Sequence, residues 1–290
     1  ALKVLPDART AHAGLRRFDL PGALTVLGGL MTLMYALGGT ATSGWLSIRT
    51  LAALGLSAVL LTAFVLIERR TAMPLIPPHT WKVRTLVTGT VVMLGITGIL
   101  VGAVFLTSIY LQSVLGFSAL RAGMAFLPFA FAITAGTQVA RHLLGHTSPR
   151  NLAVVGLAIT AGAALLLSTA TGHAHYATDL LPGLVLLGLG VGMVFVPVSV
   201  TAMAGIPPQH AGMASGFLMT GHEVGAALGV AVLSAVATTA GSLTSPAGIV
   251  AGFSRGFVAA AVIAAAIGVV AALRMSATPV AAGAGGMHGH

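Results

Sequence analysis

The sequence predicts an all-α protein built as a polytopic membrane helix bundle with eight transmembrane helices, and three observations carry that expectation. Hydrophobic residues make up 57% of the 290-residue chain and Asp, Glu, Lys and Arg only 7%, far below the quarter or so usual in water-soluble domains. Mean hydropathy is +1.00. The apolar residues fall in runs of about 20, the length a helix needs to cross roughly 30 Å of hydrocarbon. These runs lack the period-two alternation of a membrane strand and are about twice too long for one.

Taken in order, residues 1–18 are a polar, basic lead-in on the cytoplasmic side. The first span covers residues 20–37, with Asp19 placed to cap it and Pro21 in the first turn, where its missing N–H costs nothing. A second span covers 50–67, so 19–67 holds a pair of helices. Residues 68–85, "ERRTAMPLIPPHTWKVRT", are proline-broken and of mixed polarity, which marks a cytoplasmic linker and a domain boundary. Six more spans fill 86–273, at 86–111, 120–140, 152–169, 180–200, 211–238 and 256–273. Residues 274–290, ending "GGMHGH", form a flexible cytoplasmic tail.

Basic residues orient these spans. With the lead-in cytoplasmic, the same side receives Lys3, Arg9, Arg16, Arg17, Arg69, Arg70, Lys82, Arg84, Arg141, Arg150 and Arg274, and the other side only Arg49, Arg121 and Arg255. Eleven against three places both termini of this chain in the cytoplasm by the positive-inside rule. The net charge of +9 comes from having only five acids. No long basic block exists, so the excess suits anionic lipid headgroups and no nucleic-acid partner is expected. With no cysteine, disulfides, thiolate nucleophiles and Cys-based zinc sites are excluded.

The order "RRFDLPGAL", "FVLIERRTAMPLIP", "SIYLQSVLGFSALRAGMAFLP" and "AGMASGFLMTGHEVGAALGVAVL" resembles the second half of the fourteen-helix drug/proton antiporters of the major facilitator superfamily. The block of Tyr110, Leu111, Gln112, Gly116, Ala122, Gly123, Leu127 and Pro128 is its most specific part. The resemblance implies two linker helices followed by the C-terminal half of a major facilitator fold, with a six-helix N-terminal half as partner. It further implies a multi-pass protein of the cell (inner or plasma) membrane that exports small hydrophobic or cationic molecules by alternating access. The proton gradient would supply the energy and no cofactor would be needed. The rival from another class is a membrane scaffold or sensor, or a degenerate fragment, that keeps the fold and transports nothing.

One residue stands out against the apolar background. Glu223 lies 12 residues after Ala211, about 18 Å along a helix, which puts it near the bilayer midplane. A charge there costs at least about 2.5 to 3.5 kcal/mol on insertion scales, so the default is that it faces a cavity or a partner. Desolvation disfavours the carboxylate over the neutral acid, and such a group takes up and releases a proton as access alternates. The bland alternative is a protonated Glu223 bonded to a neighbouring helix. His222 is about 100° round the helix, a direction that suits a neighbouring helix better than a pair with Glu223.

On the same helix Gly212, Gly216 and Thr220 share the side of Glu223, with Met219 on the adjoining turn. Gly221, Gly225 and Gly229 form a small-residue ridge on nearly the opposite side, suited to close packing. Elsewhere Tyr110 and Gln112 either contact a solute or close the outer side, and Gln138 is deep enough to line a cavity or bond another helix. Pro128 and Pro197 lie inside predicted helices and, with Gly188, Gly190 and Gly192, are candidate hinges or packing points.

Enzyme signatures fail at the residues they need. "HEVGA" has Ala226 where a zinc-protease HExxH motif requires histidine, and Met213 stands where a serine-hydrolase elbow needs a small residue. His142 and His146 have i, i+4 spacing, but no third ligand accompanies them and no metal site is expected. "GLGVG" at 188–192 lacks the strand context and spacing of a dinucleotide fingerprint.

Overall fold

The computed structural model describes residues 19–71, 83–207, 210–241 and 245–277. The lead-in to residue 18, the core of the 68–85 linker and the tail beyond 277 lie outside the described residues. Within them are eight helices long and apolar enough to cross a membrane and no strand. We number the helical elements α1 (Leu20–Ser43), α2 (Ile48–Glu68), α3 (Arg84–Ser113), α4 (Ala119–Ala125), α5 (Leu127–Leu143), α6 (Pro149–Ser168), α7 (Leu181–Met203), α8 (Ala211–Thr238) and α9 (Pro246–Arg274). α4 and α5 together make one span, and a π-turn at Tyr176–Leu180 leads into α7.

Local chemistry sets most helix starts. Asp19 Oδ1 accepts from the Gly22 N–H at 2.9 Å, with Pro21 in the first turn. Ser47, Ser118, Ser148 and Ser245 cap α2, α4, α6 and α9 in the same way, each oxygen satisfying a backbone donor that the helix leaves free. These caps lengthen several helices beyond the apolar run. α9 starts ten residues before the predicted 256, because Arg255 belongs to the helix and not to the preceding loop. Its Nη1 donates to the Thr239 carbonyl at 3.0 Å, tying α9 to the end of α8.

Pro128 also departs from expectation. It is not inside a helix but in the first turn of α5, and the span breaks at Phe126. Proline has no N–H to continue the ladder. Just before the break, the Ala125 carbonyl accepts the Tyr176 hydroxyl at 2.6 Å. Pro197, by contrast, does lie inside α7.

The last six spans pack by a symmetric rule. α5, α7, α3 and α8 stand in a row, each packed on the next, while α6 and α9 pack on each other behind α7 and α3. The first helix of each three-span set, α3 or α7, thus packs on the second and third helices of the other set. An odd number of spans per set makes the two sets run in opposite directions, an inverted repeat. α1 and α2 form a hairpin beside this unit, and α1 lies against α8.

Glycines bring the row together. A Cβ on Gly225 would run into the Leu94 carbonyl, and one on Gly229 into the Gly98 carbonyl, joining α8 to α3 backbone to backbone. The symmetry mate repeats the device. A Cβ on Gly192 would meet the Ile133 carbonyl and one on Gly136 the Leu189 carbonyl, joining α7 to α5. In lipid, where burial of apolar surface drives little association, such close van der Waals contact is a main source of helix cohesion.

Candidate functional site: the open face of the helix row

α8 carries two unlike sides. Gly221, Gly225 and Gly229 face α3, whereas Gly212 and Gly216 have nothing within 4 Å of where a Cβ would be. Gly212, Ser215, Gly216, Met219 and Glu223 form the exposed side, and Met219 is 59% exposed. Thr220 donates to the Gly216 carbonyl at 2.9 Å, so its hydroxyl is satisfied within the helix. A cavity of about 190 Å³ lined by apolar side chains and glycines, among them Leu94, Ile99, Leu228, Val232 and Ile263, lies on the α3 side, away from Glu223.

Glu223 therefore projects from the bundle, with a side-chain exposure of 63% against 33% for His222. Any desolvation of its carboxylate has to come from whatever covers this face. His222 does two things at once. Its ring lies 6.3 Å from that of Phe195 on α7, and its Nδ1 is 3.4 Å from Glu223 Oε1. The expectation that His222 faces a neighbour instead of pairing with Glu223 is thus half corrected. A 100° step separates the Cβ atoms, yet two long side chains can still lean together.

At the other end of the row, α5 shows an exposed stripe of Phe131, Thr134 and Gln138, at i, i+3 and i+7. Sequence reading picked out Gln138 but missed Thr134 and Phe131, although their helical spacing from Gln138 was the available signal. Phe195 was missed as well, since nothing in its own helix marks it as the neighbour of His222.

Other candidates are placed elsewhere. Gly221 packs on Thr90 and Gly225 on Leu94, so Glu223 is level with this stretch of α3, and Tyr110 lies about 25 Å farther along that helix. Tyr110 is fully buried, stacks on Phe253 with centroids 4.5 Å apart, and donates its hydroxyl to the Thr171 carbonyl. It is a strut between α3 and the connection after α6, and offers no surface to a solute. Gln112 is exposed beyond it and donates to Ser108 Oγ at 2.8 Å. Gly188 is wedged against Phe129, Gly190 against Thr160 and Gly156, and Gly192 against Ile133. Among the described residues no group of three or more His, Cys, Asp or Glu is placed to hold a metal ion.

The arrangement, a row of helices with a symmetric pair behind it, an open front and one carboxylate on that front, is accompanied by a sequence match. The profile of the Major Facilitator Superfamily matches residues 16–230. The chain belongs to the major facilitator superfamily. Its relatives in the superfamily include the puromycin resistance protein pur8 of Streptomyces alboniger, 40% identical over 86% of this chain and 51% of that protein. The cephamycin export protein CmcT of Amycolatopsis lactamdurans is 34% identical over 93% of this chain and 56% of its own length. The tetracenomycin C resistance and export protein of Streptomyces glaucescens is 31% identical, with 80% and 43% covered. The chain spans about half the length of the curated relatives it matches.

Proposed function

We propose that this chain is the C-terminal portion of a secondary active multidrug exporter that exchanges protons for amphipathic or cationic small molecules by alternating access. The observation that carries this reading is Glu223, an acid on the open face of a membrane helix, in a superfamily whose matched members are named for antibiotic resistance and export. The α5–α7–α3–α8 row forms one wall of a central passage, and a six-helix N-terminal half forms the other. Met219, Phe131 and the flanking apolar residues take up hydrophobic solutes by burial, while Glu223, Thr134 and Gln138 supply polarity. An ionised Glu223 holds a cation, and protonation removes the attraction and releases it. Both ends of the chain lie in the cytoplasm, the proton gradient drives export, and no cofactor takes part.

Cells expressing the full-length gene product should pump out a fluorescent cationic dye, and a protonophore should stop them. Efflux that survives collapse of the proton gradient would reject antiport.

A further inference from the structure

His222 and Glu223 are the two titratable side chains of α8, and α7 has none. The helices packed on α8 are α1, α3, α7 and α9. Their titratable groups are Tyr35 on α1, Arg84 and Tyr110 on α3, and Arg255 and Arg274 on α9. Arg255 is engaged with Thr239 at the far end of α8. Arg84 and Arg274 stand in terminal turns, and Tyr110 is about 25 Å from the level of Glu223 along α3. His222 is therefore the sole basic group beside the carboxylate among the described residues.

Its geometry is suited to that position. Nδ1 is shielded from solvent and has no hydrogen-bond partner, and the Glu223 oxygen at 3.4 Å lies at the outer limit of such a bond. The ring is steadied by Phe195. Glu223 keeps most of its carboxylate open, so a solute reaches it from the front while His222 stays at its side. A shielded nitrogen with no partner is costly, and a small rotation that closes the 3.4 Å gap relieves that cost.

We infer that His222 is the positioning partner of Glu223, and that the two share one exchangeable proton which a cationic solute displaces. With the proton on the imidazole, the pair is an ion pair and the carboxylate is held ready. A cation arriving at the open side takes over the carboxylate, and the proton leaves from His222. When the carboxylate itself is protonated, no charge remains to hold the cation. This inference rests on the antiport reading above and adds to it a second residue and a preference for cations.

The test separates the two. In proteoliposomes of the full-length gene product with an imposed pH gradient, efflux of a cationic dye is measured across pH. The variant His222→Phe keeps an aromatic ring against Phe195, and His222→Gln keeps a polar atom without a positive charge. Both variants should retain gradient-driven efflux, with half-maximal efflux displaced to the acid side, because the carboxylate is then the sole acceptor left for the exchangeable proton. If wild-type efflux is gradient-driven and both variants overlay it at every pH, His222 is a packing residue and this inference falls alone. If wild-type efflux ignores the gradient, the antiport reading falls and takes this inference with it.

Discussion

The two sides of α8 use the same residue for opposite ends. On the α3 side glycine at 221, 225 and 229 lets two backbones touch, and on the front glycine at 212 and 216 borders open space. What separates them is the neighbour, not the residue. A small-residue ridge in a membrane helix is thus a statement about close approach only where a carbonyl is found opposite it.

The comparison can be broken at its strongest point first. Gly229→Leu would drive a side chain into the Gly98 carbonyl, a backbone neighbour that cannot turn aside. Overpacking of this kind costs about 1–3 kcal/mol or more, and the variant should lose folded protein or melt markedly earlier in detergent. Glu223→Gln, on the other side, keeps shape and removes charge. It should leave folded yield unchanged while altering dye selectivity or the pH dependence of efflux, and a wild-type response in both would make Glu223 a packing residue. The smallest effect belongs to Gly216→Ala, which meets nothing within 4 Å. The gain in helix propensity of roughly 0.5–1 kcal/mol should leave thermal stability equal or slightly higher, and a clear loss would mean that the front of α8 is a tight seam in the full-length protein.

Much of the architecture was legible in the residues because hydrocarbon thickness is a severe constraint. Any run of about 20 apolar residues without charge has few alternatives to a spanning helix, and eight such runs became eight spans. The ends were less legible. Arg255 read as a loop residue because charge is the usual sign of water, yet an arginine within a helix can reach a carbonyl at the end of its neighbour. Pro128 read as a kink within a helix, since sequence cannot tell a proline that bends a helix from one that begins the next. Around Glu223 the 100° step per residue separates front from back, a local rule that needs no tertiary knowledge. It gave half the answer for His222, which does face a neighbouring helix but also leans to Glu223, because the rule treats side chains as rigid spokes. The rule is silent about which residue, Phe195, that neighbour supplies. Which helices stand together was not legible at all, because sequence neighbours α3 and α5 take their chief partners from the other repeat.

The interruption at Phe126 has a mechanical corollary. The Ala125 carbonyl, at the end of α4 just before the break, is claimed by Tyr176, at the entrance to the opposing repeat. The N-terminal ends of α5 and α7 are in this way buttoned together, while farther along the two helices their glycines mesh. Any opening toward that side has either to undo the button or to carry both helices as one leaf.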